Sequence, residues 1–142
     1  VLKNTKLEEL YSSGEYRAQT LEEATELCSR LLKLFNESGV RVIRLGLHSG
    51  GNVEEGYVAG AYHPAFREKC ESRLYRTEIK SLLEREEIAG GRVNLLVSKK
   101  YVSQAVGQKK ENLLFFKEKG YEIKLITDEN TKQYEVRLMP QL

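Results

Sequence analysis

The sequence predicts an α/β protein with two parts: helices and strands over residues 1–90, then a small α+β domain over 91–142. Three observations carry this. An amphipathic helical run, Leu21 to about Ser38, leads through a single glycine into the β-branched run Val40–His48, the signature of an α/β unit with a parallel sheet. After Gly90-Gly91 the pattern becomes strand, helix, turn, helix, strand, strand. The bulk is that of a water-soluble globular chain: 142 residues, 40% hydrophobic and 31% charged, with mean hydropathy −0.51. That composition excludes a disordered tail, a collagen-like fibre and a disulfide-stapled peptide. The longest uncharged stretches fall short of a membrane span, so no transmembrane helix and no membrane partner are expected.

From the amino end, Val1-Leu2-Lys3 reads as the end of a buried strand, and Lys6–Tyr11 as a short helical turn broken by Ser12-Ser13-Gly14. Thr20 with Glu23 three residues on forms a capping box. Leu21, Ala24, Leu27, Cys28, Leu31, Leu34 and Phe35 then recur at helical spacing until Gly39. In Val40–His48, Ile43, Leu45 and Leu47 form one apolar strand face, while Val42, Arg44, Gly46 and His48 form the other. Such a polar face suits a barrel interior holding a polar ligand; an edge strand with a wet face is the alternative. Ser49–Gly60 reads as a Gly-rich loop. Pro64 suits a first helical position, and the helix is expected to run to about Glu87, with a break near Thr77. Gly90-Gly91 is the expected domain boundary. Beyond it come a strand over Arg92–Val97, a short helix over Lys99–Val106, a turn over Gly107–Lys110, a helix over Glu111–Lys119 and a strand over Tyr121–Thr127. A last strand over Gln133–Met139 is expected to form an antiparallel hairpin with its predecessor.

Charge divides along the chain. Residues 1–87 hold 13 Lys and Arg against 15 Asp and Glu; residues 88–142 hold 10 against 6, a net +4. Arg92, Lys99, Lys100, Lys109 and Lys110 fall in a stretch, Ile88–Lys110, without an acid. A local basic field attracts polyanions, nucleic acid first among them; a solvated face is the bland alternative. Cys28 and Cys70 lie 42 positions apart, with no CxxC and no paired Cys/His spacing, so a metal ligated by this chain alone is not expected. Two free thiols and no leader pattern suit the cytoplasm. His48 and His63 are the only histidines, and no Gly-x-Ser-x-Gly elbow occurs. Tyr57 and Tyr62 flank the Gly-rich loop, suited either to base stacking or to packing. Met139 is the sole methionine and the chain opens at Val1, so it reads as a fragment of a longer protein whose oligomeric state is open.

Two resemblances arise from these segments. The strand VLKNT, the phrase LYSSGEYRAQTLEEA, the strand RLGLH and the phrase AGAYHPAFRE, in this order over nearly ninety residues, resemble the carboxyl-terminal part of the radical S-adenosylmethionine (SAM) barrel in small bacterial relatives of the Elongator catalytic subunit. The resemblance implies the last strands and helices of a partial (β/α)6 barrel. It also implies an enzyme using SAM and a [4Fe–4S] cluster held by a CxxxCxxC motif that this chain lacks. The fragment would then be inactive alone, bind neither cofactor, and pair with the missing amino-terminal part of the same protein. Arg44, Gly46 and His48 would lie on the SAM or substrate side of the last barrel strand. Oxygen-independent coproporphyrinogen oxidases share this barrel and stand as a minor alternative.

The second resemblance covers Arg92 to Met139. The element order and VGQKKENL resemble a K-homology module of the type I order, with Gly107 at the first glycine of its loop, Lys110 in place of the second, and Leu113 at the hydrophobic position. It implies RNA contact through Gly107, Gln108, Lys109 and Lys110, widened by Lys99 and Lys100. Lys at the second glycine position would either strain a positive φ or block close backbone approach. A helix-turn-helix reading of residues 99–119 fits poorly, because Leu113 to Phe116 is too apolar for a recognition face. Three functions therefore stay open: part of a radical SAM enzyme acting on RNA in the manner of tRNA modification; a non-catalytic RNA-binding module; or a structural or dimerisation domain.

Overall fold

A computed structural model describes residues 1–47 and 51–140, the side chains of Gly51 and Asn52 excepted. The chain divides into two compact units, Val1–Arg67 and Glu68–Leu142. Gly90-Gly91 lies inside the second unit, at the start of its first strand.

In the first unit, helix α1 (Lys6–Ser12) starts at Thr5, whose Oγ1 accepts from the Glu8 amide. Helix α2 (Leu21–Glu37) starts at Thr20, whose Oγ1 accepts from the Glu23 amide at 3.1 Å. The Glu23 carboxylate in turn accepts both Nη groups of Arg17 at 2.9 Å. The buried stripe of α2 is Ala24, Thr25, Ser29 and Leu32. The apolar seam that marks this helix in the sequence lies elsewhere: Leu27, Leu31, Leu34 and Phe35 are exposed. Gly39 leaves the helix at φ 72°.

The strand expected over Val40–His48 is not formed in its described part, Val40–Leu47. A strand exists only through ladder bonds to a neighbour. Among the described residues, the sole bridge of this unit is Leu2 with Tyr57. Val40, Ile43 and Leu47 are therefore exposed, Ile43 at 84%. Among the described residues, Val40 N donates to the Phe35 carbonyl at 2.8 Å, Arg67 Nη1 donates to the Val42 carbonyl at 2.7 Å, and Gly46, at φ 76°, lies where a Cβ would stand 2.8 Å from Phe66 Cδ2. The amino end is half-buried rather than buried, with Val58 N donating to Val1 O and Lys3 N to Gly56 O. The expected loop contains a short helix, α3 (Gly51–Gly56).

Helix α4 (Phe66–Arg85) begins two residues after Pro64. His63 caps it, with Nδ1 accepting from the Ala65 amide and its carbonyl from the Phe66 amide. The expected break near Thr77 does not occur: α4 runs on through Thr77, whose Oγ1 donates to the Arg73 carbonyl one turn back.

The rest of the second unit is β1 (Gly91–Ser98), a 3-10 turn at Lys99–Tyr101, α5 (Val102–Val106), a second 3-10 turn at Gln108–Lys110, α6 (Glu111–Glu118), β2 (Tyr121–Asp128) and β3 (Val136–Leu138). The sheet order is β2-β1-β3. β1 pairs with β2 in parallel, Leu95 opposite Leu125, and with β3 antiparallel, Leu95 opposite Leu138. The expected β2–β3 hairpin is therefore absent. β1, the most buried strand, takes the centre, and the α5–α6 crossover returns the chain parallel to it. Ile79, Leu82 and Leu83 of α4 pack with Val93, Leu95, Phe116 and Ile123 as one core. Each such side chain contributes roughly 1.5–3 kcal/mol by burial.

The β2–β3 connection crosses the sheet end on a buried polar knot. Tyr134, at φ 63°, donates its amide to the Tyr75 hydroxyl (3.0 Å) and its own hydroxyl to Glu71 Oε2 (2.6 Å). Burial pushes the Tyr75 hydroxyl far above the ordinary phenol range, so it stays protonated.

Candidate functional site

The turn between α5 and α6 is built by backbone conformation. Gly107 closes α5 at φ 83°, its amide donating to Ser103 O at 2.9 Å. A Cβ there would lie 2.6 Å from Glu111 Cγ and 3.2 Å from the Asn112 amide nitrogen, so only glycine fits. Lys109 and Lys110 follow at φ 53° and φ 60°, both left-handed. Each such non-glycine residue costs roughly 1–2 kcal/mol. The positive φ expected at Lys110 is present, and Lys109 shares it. Lys110 is also the N-cap of α6 and makes no side-chain cap bond. Gln108, Lys109 and Lys110 are exposed, as are Lys99 and Lys100 in the 3-10 turn that ends β1.

Not all of these cations converge. Lys110 lines a groove of about 470 Å³ together with Leu113, Leu114 and Lys117 of α6, Arg92 of β1 and Ile123 of β2. Lys99 and Lys100 do not line it. Arg92 is paired with Glu122 at 3.1 Å. Lys110, Leu113, Leu114 and Lys117 stand at helical spacing, so Lys117 was readable from the sequence as the far end of the same stripe. Asn112 was not. It is fully buried behind the turn, its Nδ2 donating to Ser72 O and Ala105 O and its Oδ1 accepting from Arg76 Nε. Asn112 stands beside Glu111 at the polar start of α6, so nothing in the local sequence marks it for burial.

In the first unit, Arg44 is exposed and Gly46 is held against Phe66. His48 lies outside the described residues. The common strand face of these three is not formed among the described residues. Cys28 is half-buried on α2, and Cys70 is fully buried on α4. Among the described residues, no three His, Cys, Asp or Glu side chains gather to hold a metal. The donors of this chain do not fit a [4Fe–4S] cluster. Among the same residues, no helix is long and apolar enough to cross a membrane.

A family model described as the Radical_SAM C-terminal domain matches residues 1–76. The chain belongs to the Radical_SAM C-terminal domain family. No curated protein and no solved structure matches it. Membership in the Radical_SAM C-terminal domain family implies a parent protein that uses SAM and a [4Fe–4S] cluster. The matched segment takes in all of the first unit and α4 as far as Arg76, the residue that bonds Asn112 behind the lysine turn.

Proposed function

We propose that this chain is the carboxyl-terminal part of a cytoplasmic radical SAM enzyme that acts on RNA, and that residues 91–142 dock the RNA. The observation that carries the reading is the α5–α6 turn. A glycine-dependent backbone presents two exposed lysines beside the uncapped start of α6. Such a start favours a phosphate through its free amides and helix dipole. The adjoining groove sets Lys117 beside Lys110 over the apolar side chains of Leu113, Leu114 and Ile123. Contacts of this kind give affinity and salt dependence rather than sequence choice. The order of elements after Gly91 and the sequence VGQKKENL support a K-homology-like module. The Elongator-like resemblance of the first unit supports a tRNA uridine as the modified base.

The exposed apolar side chains of the first unit support a further part of the reading. Leu27, Leu31, Leu34 and Phe35 of α2, with Val40, Ile43 and Leu47, form surface that a barrel's preceding strands and helices would cover. The partner in this reading is the cluster-bearing, amino-terminal part of the same protein, and Arg44, Gly46 and His48 turn toward SAM or substrate once Val40–Leu47 is paired. Two assays of the protein carrying its cluster motif test this. Reductive cleavage of SAM is expected, and its absence from a cluster-loaded preparation contradicts the enzyme reading. RNA that binds wild-type and Lys109→Glu/Lys110→Glu protein equally contradicts the docking role of the turn.

A further inference from the structure

We propose that Asn112 is the positioning residue of the Lys109–Lys110 turn, and that Arg76 orients Asn112. Asn112 is the second residue of α6 and is fully buried. Its Nδ2 donates to Ala105 O at 3.0 Å and to Ser72 O at 2.8 Å; its Oδ1 accepts from Arg76 Nε at 3.0 Å. Ala105 lies in the last turn of α5, where helix carbonyls have no partner within their own helix. One side-chain amide therefore ties the start of α6 to the end of α5 across the turn. The backbone of Asn112 also sits under Gly107, its nitrogen 3.2 Å from where a Cβ would be. With both ends fixed this close, the chain reverses within a few residues, and Lys109 and Lys110 take left-handed conformations to do so.

Arg76 selects the working orientation of the amide. Two carbonyls face one side of Asn112 and require the NH2 group; the Nε–H of Arg76 faces the other and requires the oxygen. The opposite orientation would set oxygen against two carbonyl oxygens. The guanidinium of Arg76 is itself held over the Phe115 ring, 4.4 Å from its centroid. The turn's geometry is thus set from α4, the helix in which the family match ends. The functional consequence rests on the proposal that the turn contacts RNA; the geometric claim does not.

The test compares wild type, Arg76→Met and Asn112→Leu in the full chain, with and without Lys109→Glu/Lys110→Glu. Strong intraresidue amide-to-α-proton nuclear Overhauser effects at Lys109 and Lys110 report the left-handed backbone. Binding of a single-stranded oligouridine reports function. In Arg76→Met these effects are expected to weaken while β1 amides keep their exchange protection, and affinity is expected to fall about tenfold. In the background lacking both lysines, the same substitution is expected to change affinity less than about twofold, because the aimed groups are gone. A merely structural role would give the same loss in both backgrounds, and that result overturns the proposal. So does an unchanged left-handed signature in Arg76→Met, which carries the test should Asn112→Leu fail to fold. Absence of RNA binding by wild type would remove the docking reading and leave the spectroscopic arm to decide the positioning role alone.

Discussion

The α5–α6 turn places two left-handed lysines and the candidate chemistry in the same four residues. Gly107 combines φ 83° with a site that a Cβ would overfill against Glu111 and Asn112. Gly107→Ala is expected to destabilise the fold by roughly 1–3 kcal/mol, read from the urea unfolding midpoint at constant slope. An unchanged midpoint would show that the turn relaxes freely. The two lysines run the other way. Glycine at Lys109 or Lys110 would remove a left-handed penalty at the cost of some chain entropy, for a net gain of about 0.5–1 kcal/mol per site. RNA affinity should fall in the same variants. Gain of stability with loss of binding marks residues kept for contact, whereas loss of stability would place their worth in packing. The glycine, both lysines and the strain at Lys110 were legible in the sequence. The left-handed state of Lys109 and the buried bonds of Asn112 were not; two of those three bonds reach α4, more than thirty positions earlier in the chain.

Helix α2 shows how far element-level reading carries. Its start, end and capping threonine follow from Thr20, Glu23 and Gly39. The Arg17 guanidinium hydrogen-bonded to Glu23 holds that carboxyl below the usual carboxylate range. A carboxyl depressed in the folded state adds stability that is complete above its unfolded value and lost as pH falls through the folded value. Support for the α2 start should therefore fade progressively as pH falls through the ordinary carboxylate range toward the lowered value of Glu23. A carboxyl titration by NMR should show Glu23 moving upward in Arg17→Met; an unmoved titration would break the pair's role. The β2–β3 connection gives a second test. Tyr75→Phe removes the acceptor of the Tyr134 amide inside a buried knot and should cost about 1–3 kcal/mol. A neutral outcome would mean that the knot repacks. Helices and strands with local signals were readable here. Pairing was not: β3 lies across β1 from β2, and alternation alone does not say which neighbour a strand will take. Nor does it reveal that Val40–Leu47 lacks a ladder, since a strand pattern records what the segment suits rather than what lies beside it.

At the scale of the molecule, the family match spans the first unit and the start of α4; the first unit leaves apolar side chains of α2 and of Val40–Leu47 exposed, and the second carries its own core, sheet and a lysine turn. The near-neutral charge of the whole chain, a formal +2, divides into a slightly acidic region and a basic one. In the proposed function the basic region docks RNA for a radical SAM enzyme. The most direct test is the equilibrium binding of single-stranded RNA to the whole chain over a series of salt concentrations, with wild type and Lys109→Glu/Lys110→Glu in parallel. Each phosphate neutralised on a single strand contributes about 0.7 to the slope of log affinity against log salt. Wild type should bind with a steep negative slope, and the variant should bind more weakly with a slope shallower by about 1.4. Equal affinities and equal slopes in the two proteins, or no binding by wild type at low salt, would contradict the account.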